Sequence, residues 1–181
     1  MGRVPNGDPR GAISDEDARA AVEELRSAVD LVRWGASQFG AADVALGHGT
    51  DSWIDEALAL VLHALHLEPG TGDDLLKARL TRNERQAAVD LIVRRVRSRE
   101  PAAYITGFAW FGGLKLLSDH RALVPRSPLA EHIERQLAPW LDPAEVTQIA
   151  DLGTGGGCLA MALALAFADA RVDAVDSSAE A

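Results

Sequence analysis

The sequence is poor in cysteine and in asparagine. Its 181 residues include one cysteine, Cys158, which cannot form an intrachain disulfide or supply a cysteine-based zinc cluster. Long apolar runs are also absent at the start of the chain: residues 1–12 contain glycines, prolines and arginines, so they predict neither a signal peptide nor a membrane anchor. These absences indicate a cytoplasmic protein. We interpret residues 1–13 as a disordered tail.

Positive charge is scarce as well. The chain has 18 lysines and arginines against 27 aspartates and glutamates, which gives a formal net charge of −9. Because positive charge is the main source of affinity for a nucleic-acid backbone, this balance argues against direct nucleic-acid binding and is more compatible with a basic protein partner. One basic cluster falls in the last turns of a predicted helix, and we interpret its side chains as solvent-facing charges that complement the helix dipole. The cluster consists of Arg94, Arg95, Arg97 and Arg99.

Residues 14–100 have a helical pattern. Apolar residues recur at intervals of three and four from Ser14 onward, which predicts one amphipathic helix, and Ser14 with Asp17 resembles a capping box at its start. The apolar stripe consists of Ala18, Val22, Leu25, Val29, Val32, Ala36 and Phe39. Three more helices are predicted: one from about Asp51 to Pro69-Gly70, one over Asp73–Leu80, and one from the Thr81 and Glu84 capping box to Pro101. The pattern indicates a small helical bundle.

The histidines of this bundle do not indicate a metal site. His48, His63 and His66 are not spaced as a ligand pair on one face with an acidic partner, so a surface or core role is favoured.

Beyond Pro101 the pattern changes to short β-like runs. Ala103–Trp110 and Leu114–Leu117 flank Gly112-Gly113, which predicts a β-hairpin. Ser127 and Pro128 then predict the start of a helix that runs to about Leu141. Trp110, Phe111 and Trp140 are interpreted as packing residues, because no basic groove accompanies them.

A glycine-rich segment near the C-terminal end carries the strongest functional signal. The run Ile149-Ala150-Asp151-Leu152-Gly153-Thr154-Gly155-Gly156-Gly157 lies between a predicted strand, Thr147–Asp151, and a predicted helix, Gly157–Phe167. A second strand is predicted over Arg171–Asp176. This layout brings bare backbone against a ligand, and the helix N-terminus offers unpaired N–H groups to an anion. The pattern is typical of a site for an adenosine-containing cofactor.

The spacing of the glycines distinguishes between cofactors. A dinucleotide fingerprint counted from Gly153 requires a third glycine where this chain has Cys158, so a nicotinamide-dependent dehydrogenase is disfavoured. The intact pattern, D-x-G-x-G-x-G, suits S-adenosylmethionine, because a carboxylate near its cationic end is electrostatically favourable. Asp176 follows Gly153 by 23 residues, close to the interval of about 20 at which an acidic residue binds ribose hydroxyls. The predicted cofactor-binding residues are Asp151, Gly153, Thr154, Gly155, Gly157 and Asp176.

An interpretation without a cofactor stays open. The glycines could form a strand-to-helix turn that needs positive φ and close packing, and Asp176 could end a strand or cap the next helix. The protein would then be a non-catalytic interaction module, in which the helical bundle binds a partner.

Several segments, taken in order, resemble the protein-(glutamine-N(5)) methyltransferases. They are Glu100-Pro101-Ala102-Ala103-Tyr104-Ile105-Thr106-Gly107, Ala109-Trp110-Phe111, Leu123-Val124-Pro125-Arg126-Ser127-Pro128, the glycine loop and Val172-Asp173-Ala174-Val175-Asp176. The Ala-Trp-Phe and Pro-Arg-Ser-Pro runs are most similar to the branch that methylates a glutamine of the third protein of the large ribosomal subunit. The release-factor branch is the alternative. The resemblance covers residues 81–181, and the helical part before them is consistent with it.

The resemblance implies an α/β fold in three parts. Residues 14–100 would form a helical substrate-recognition domain, residues 101–127 a β-hairpin linker, and residues 128–181 the first, incomplete part of a Rossmann-like class I methyltransferase domain. It also implies S-adenosylmethionine as the methyl donor and a ribosomal protein as the substrate.

The catalytic residues of such an enzyme have no counterpart in this sequence. A glutamine side-chain nitrogen is a poor nucleophile because its lone pair is delocalised into the carbonyl, and the family holds the amide in line with the methyl group by an Asn-Pro-Pro-Tyr motif. The asparagines here, Asn6 and Asn83, do not precede proline. Two strands and one helix would also leave a parallel sheet with unpaired edges. We therefore expect the 181 residues to be part of a longer methyltransferase, with weak cofactor binding and no turnover alone.

Overall fold

The computed structural model describes residues 13–46, 50 and 52–181, and the chain divides into two compact units after Thr106. Residues 1–12 of the predicted tail (1–13), together with His48 and Asp51, lie outside the described residues, whereas Ile13 is buried in the core of the N-terminal unit. The N-terminal unit contains α1 (Asp15–Glu24), α2 (Ala28–Ala41), α3 (Trp53–Ala64), α4 (Asp73–Lys77), α5 (Arg82–Ser98) and α6 (Ala102–Thr106). The C-terminal unit contains β1 (Phe108–Phe111), β2 (Leu114–Leu117), α7 (Leu129–Glu134), a 3₁₀ turn (Pro143–Glu145), β3 (Gln148–Leu152), α8 (Cys158–Ala166) and β4 (Arg171–Val175). None of the helices in these ranges is long and apolar enough to cross a membrane.

The first apolar stripe is divided between two helices, α1 and α2, where one was predicted. Leu25 ends α1 in an extended conformation, and Ser27 caps α2. The Ser27 hydroxyl accepts a hydrogen bond from the Asp30 amide at 3.2 Å, while the Asp30 carboxylate accepts one from the Ser27 amide at 2.9 Å. These bonds satisfy N–H groups at the start of α2. The single-helix prediction was wrong because Ser27 and Asp30 form a helix-start signal inside the apolar stripe.

This break changes which residues of α2 face the core. Val29 of the predicted stripe is 45% exposed and Leu31, outside the stripe, is fully buried, whereas Phe39 of the stripe is buried as predicted. Gly35 also faces the core: a Cβ there would approach Ile92 Cδ1 to 2.9 Å, so the missing side chain lets α2 pack closely against α5. The fully buried apolar residues of this unit are Ala28, Leu31, Phe39, Ala57, Leu60, Val61, Ala88, Val89 and Ile92.

A buried ion pair links α3 and α5. Arg95 Nε lies 2.7 Å from Glu56 Oε1, and their side chains are 2% and 4% exposed. Arg95 also donates to the Ala45 carbonyl at 2.9 Å. The prediction that the basic cluster faces solvent was therefore wrong for Arg95, because this residue follows Ile92 by three positions and shares its core-facing side of the helix.

The sequence predicted the start of α5 correctly but not the end of the helix before it. The Thr81 and Glu84 capping box is confirmed: the Thr81 amide donates to Glu84 Oε2 at 2.7 Å, and the Glu84 amide donates to Thr81 Oγ1 at 3.3 Å. The preceding helix is shorter than predicted, since α4 ends at Lys77. Leu80 instead donates its amide to the Arg26 carbonyl at 2.8 Å, next to an antiparallel bridge between Arg79 and Ser27 at the α1–α2 break.

Residues 102–106 form a short helix where a strand was predicted from Ala103. The amides of Tyr104 and Ile105 both donate to the Pro101 carbonyl, at 3.0 and 3.2 Å, so Pro101 starts a helical turn instead of only ending α5. The hairpin that follows is confirmed. β1 and β2 pair antiparallel, with Phe108 opposite Leu117 and Phe111 opposite Leu114.

Between Leu129 and Trp140 the structure is less helical than predicted. The Ser127 hydroxyl accepts a hydrogen bond from the Leu129 amide at 3.2 Å, but α7 ends at Glu134, since Gln136 and Leu137 take positive φ values of 50° and 58°. Trp140 is 69% exposed and Trp110 is about half exposed, so the packing interpretation holds for Phe111 but was wrong for both tryptophans.

β3 and β4 form a parallel pair joined through α8. Ile149 lies opposite Val172 and Leu152 opposite Val175, and the buried Ala162 of α8 packs with Phe111 and Ile133 in the core of this unit. The mixture of helices with a parallel strand pair and its connecting helix agrees with the predicted α/β class.

Candidate cofactor site

The glycine loop, residues 153–157, leaves the carboxyl end of β3 and enters α8. Its start is tied to the neighbouring strand by the main chain alone: the amides of Gly153 and Thr154 both donate to the Val175 carbonyl, at 2.7 and 3.0 Å. Because parallel pairing sets the two strand ends side by side, the loop and the residue after β4, Asp176, lie at the same edge of the sheet.

The loop needs glycine for its backbone conformation. Gly153, Gly155 and Gly157 have φ values of 77°, 52° and 78°, in the left-handed region that other residues rarely adopt. A Cβ on Gly153 would meet no atom within 4 Å, so close packing within the protein does not explain this glycine. The space beside the loop is therefore open to a ligand.

Asp151 and Thr154 stabilise the loop from within. The Thr154 hydroxyl donates to Asp151 Oδ2 at 2.7 Å, and the Ala160 amide donates to the same oxygen at 3.1 Å. The Asp151 carboxylate thus connects the end of β3 to the loop and to the first turn of α8, where a negative charge complements the helix dipole.

Asp176 lies against the glycine loop. Its Oδ2 accepts a hydrogen bond from the Gly155 amide at 2.8 Å, and its Oδ1 accepts one from the Ser178 amide at 2.8 Å. The backbone N–H groups of Ser178 and Gly155 hold the pKa of Asp176 below its ordinary value of 3.8, because they stabilise the charged form. Asp176 is therefore a carboxylate at neutral pH, fixed in place and able to accept further hydrogen bonds.

Cys158 occupies the position where a dinucleotide-binding loop would have its third glycine. It is half-buried in the first turn of α8, and burial raises the pKa of its thiol above 9.0. The thiol is thus neutral at physiological pH and lacks the thiolate character of a reactive cysteine.

A cleft of about 380 Å³ borders the glycine loop at Gly155, Gly156 and Gly157. Its residues are Leu117, Ser118, Asp119, Arg121, Ala122, Leu123, Pro125, Gly155, Gly156, Gly157, Glu180 and Ala181. Within it Arg121 donates to both Asp119 oxygens, with the shortest bond, from Nη2 to Oδ2, at 2.6 Å. This pairing with Arg121 lowers the pKa of Asp119 to about 2.

The cleft shows which site residues the sequence analysis missed. It brings Ser118, Asp119 and Arg121 next to Gly155 and Gly156, although they precede the loop by more than 30 positions in the chain. A signal existed nearby, since the resemblance includes the segment 123–128, but nothing in the spacing of residues 118–121 predicted that they line one cleft with the glycines.

Comparison with known proteins gives a consistent set of relatives. No family model matches the chain. It is 52% identical over 160 residues to the ribosomal protein uL3 glutamine methyltransferase of Bordetella pertussis (strain Tohama I), covering 88% of this chain and 54% of the relative. It is 49% identical over 162 residues to proteins of that name from Xylella fastidiosa (strain Temecula1) and Xanthomonas campestris pv. campestris, covering 90% of this chain and 52% and 53% of the relatives.

Two facts follow from these relatives. The predicted resemblance to the protein-glutamine methyltransferases, and to their ribosomal branch, is confirmed by their names and by about half-identical sequences. The chain spans about half the length of the curated relatives that it matches.

Proposed function

We propose that this chain, as a relative of the ribosomal protein uL3 glutamine methyltransferases, holds the S-adenosylmethionine site of a methyltransferase that acts on a glutamine side-chain amide in a large-subunit ribosomal protein. One observation carries the proposal: the glycine loop and Asp176 lie together at the carboxyl ends of two parallel strands, joined by the 2.8 Å bond from the Gly155 amide. That edge is where open α/β sheets bind their ligands.

The residues at this edge fit an adenosine-containing donor. The two oxygens of the Asp176 carboxylate offer about four acceptor sites, and the Gly155 and Ser178 amides use two of them. The remaining sites can accept hydrogen bonds from two ribose hydroxyls. Open space around Gly153 and the cleft beside Gly155 leave room for the rest of the molecule. We assign cofactor-binding roles to the loop residues Asp151, Gly153, Thr154, Gly155 and Gly157 together with Asp176.

Charge is compatible with this donor and with a ribosomal protein. S-adenosylmethionine supplies, when bound, a methyl group on a cationic sulfur to an attacking nitrogen. The chain has a formal net charge of −9, which favours both that cation and a basic protein substrate over a nucleic acid. We further propose that residues 14–100 recognise the substrate, that residues 101–127 link them to the sheet, and that residues 128–181 begin a Rossmann-like methyltransferase domain.

The chain supplies the donor site but not the group that orients the glutamine amide. No Asn-Pro-Pro-Tyr occurs in its sequence. We therefore expect this chain to bind the donor and to transfer no methyl group by itself. The names of the relatives favour the ribosomal branch over release-factor methylation.

Isothermal titration calorimetry of the 181-residue chain tests the donor site, with circular dichroism to establish that the protein is folded. We expect heat on addition of S-adenosylmethionine and none on addition of NADH, because Cys158 replaces the third glycine of the dinucleotide pattern. A folded chain that binds neither nucleotide would favour a non-catalytic interaction module.

Radiolabelled methyl transfer tests the second half of the proposal. Large-subunit ribosomal proteins incubated with this chain should stay unlabelled. A parallel incubation of the same proteins with the Bordetella pertussis relative is the comparison. Transfer by this chain alone would overturn the expectation that the amide-orienting group lies elsewhere.

A further inference from the structure

The outer face of the β1–β2 hairpin is apolar. Its residues are two cross-strand pairs, Phe108 with Leu117 and Trp110 with Lys115. Side chains alternate between the two faces of a strand, so these four lie on one face. The opposite face is the packed one, since Phe111 on it is 5% exposed. An antiparallel pair that packs one face commonly has polar residues on the other, but here the outer face has one polar residue, Lys115.

This outer face is accessible to a partner. Leu117 is 84% exposed and Trp110 is 49% exposed. The Lys115 ammonium lies over the Phe108 ring, 4.2 Å from its centroid, and 5.9 Å from the centroid of the Trp110 ring. Exposed apolar side chains that share a face mark interaction sites, and tryptophan is among the residues that contribute most to binding at the centre of protein interfaces.

The apolar face continues into the cleft at the glycine loop. Leu117 belongs to both, because it lines the cleft as well as the hairpin face. Leu123 lines the same cleft and is 90% exposed. We call Phe108, Trp110, Leu117 and Leu123 the hairpin surface. A polypeptide segment bound along this surface would lead directly to the cleft beside Gly155.

The charge of this unit favours a basic polypeptide as the partner. Residues 107–181 contain five lysines and arginines against ten aspartates and glutamates. In the cleft, the Arg121 guanidinium is paired with the Asp119 carboxylate at 2.6 Å, and Glu180 adds a further negative charge. Such a surface attracts a basic protein and repels a nucleic-acid backbone. A segment that combines apolar and basic side chains therefore fits the hairpin surface and its surroundings.

We propose that the hairpin surface binds the segment of the ribosomal protein substrate that carries the target glutamine, with an apolar side chain of that segment against Trp110 and Leu117. The bound segment then runs toward the glycine loop and the donor. This inference rests on the proposed function and deepens it, because it adds a second substrate contact to the recognition proposed for residues 14–100. Trp110 and Leu117 act here as specificity-determining residues.

Titration calorimetry with purified ribosomal protein uL3, the protein in the names of the relatives, tests this surface. The titrations use the full chain, Trp110→Ala and Leu117→Ser, each with S-adenosylmethionine present. Trp140→Ala is the matched control, since Trp140 is a tryptophan of the same unit that is 69% exposed and lies outside both the hairpin and the cleft lining. Circular dichroism establishes that each variant is folded.

We expect Trp110→Ala to weaken uL3 binding about tenfold or more, the loss that is typical of a central aromatic residue in an interface. Leu117→Ser should weaken it about fivefold, and because Leu117 is almost fully exposed this variant decides the outcome if Trp110→Ala does not fold. Trp140→Ala should stay within about twofold of the unsubstituted chain. Trp110→Ala should keep its affinity for S-adenosylmethionine, since Trp110 does not line the cleft.

Three results would overturn the inference and leave the donor site standing: uL3 binding unchanged in the folded hairpin variants, equal weakening in Trp140→Ala, or no uL3 binding by an unsubstituted chain that binds S-adenosylmethionine. A single-stranded RNA oligonucleotide that bound through Trp110 in place of uL3 would also overturn it. If the folded, unsubstituted chain bound neither S-adenosylmethionine nor uL3, the proposed function would fail, and this inference with it.

Discussion

The Gly155 amide donates a 2.8 Å hydrogen bond to the Asp176 carboxylate, across 21 positions of sequence. This bond fixes the acidic residue at the end of β4 against the loop that follows β3. It positions the carboxylate before any ligand arrives, and preorganisation of this kind reduces the entropy lost on binding.

Replacing Asp176 with alanine should weaken S-adenosylmethionine by about 1.5 to 3 kcal/mol, roughly tenfold to a hundredfold, because charge-assisted hydrogen bonds to the ribose are lost. Asp173→Ala is the control, since Asp173 carries the same charge within β4, three positions before Asp176, but pairs with the exposed Arg171. Titration calorimetry of both variants measures the effect. Equal losses in the two variants would mean that only the net charge matters.

Replacing Gly153 with alanine should lower both the donor affinity and the folding stability, whereas replacing Gly70 with alanine should lower the stability alone. Gly153 and Gly70 have similar φ values, 77° and 89°, and a Cβ on either would meet no atom within 4 Å. Both alanine variants should therefore lose about 1 to 2 kcal/mol of folding free energy through left-handed backbone strain. Only Gly153→Ala places a methyl group beside the proposed ligand, so only that variant should bind S-adenosylmethionine less tightly.

Urea unfolding followed by circular dichroism compares the stabilities of those two variants, and calorimetry compares their affinities. Unchanged binding by Gly153→Ala would indicate that the donor does not approach this part of the loop.

Removing one partner of the buried ion pair should destabilise the N-terminal unit strongly. Glu56→Ala leaves the Arg95 guanidinium buried without its carboxylate, which costs about 3 to 5 kcal/mol. Glu23→Ala breaks a bond of similar length, 2.9 Å to Arg82, but between exposed side chains, and should cost about 1 kcal/mol or less. The urea midpoints of the two variants test this. Similar midpoints would show that water reaches Arg95.

The Asp119 and Arg121 pair should contribute a stability that depends on acid pH. Arg121 lowers the pKa of Asp119 in the folded chain from 3.8 to about 2. At pH values between these two, the unfolded chain therefore binds more protons than the folded chain. This contribution is complete above the unfolded pKa and is lost as the pH falls from about 4 through about 2. Arg121→Ala should reduce the steepness of acid unfolding in that window, with no change in pH dependence between pH 6 and 8. An unchanged acid slope would contradict the assignment.

The elements around the loop followed from the sequence because their signals are local. A strand, four closely spaced glycines, an apolar helix and a second strand are each encoded within ten or so residues, and the structure places β3, α8 and β4 within one residue or so of the predicted bounds. The Thr81 and Glu84 capping box is equally local, and it was confirmed.

The features that the sequence did not predict depend on contacts between distant residues or on competing local signals. Arg95 is buried in an ion pair with Glu56, which lies 39 positions away in the chain, and residues 118–122 line one cleft with the glycine loop only once the C-terminal unit has folded. The break between α1 and α2 is a different case: Ser27 and Asp30 form a local start signal, but the longer apolar periodicity around them outweighed it in the prediction.

The Val175 carbonyl accepts both the Gly153 and the Thr154 amides, so the first two residues of the loop are attached to β4 through the main chain alone. The side chains of Leu152 and Val175 are exposed and take no part in this attachment, so changes at these two positions should leave the loop in place, provided that the backbone conformation is kept. The loop start is therefore set by backbone geometry, and it tolerates a change of side chain at residues 152 and 175.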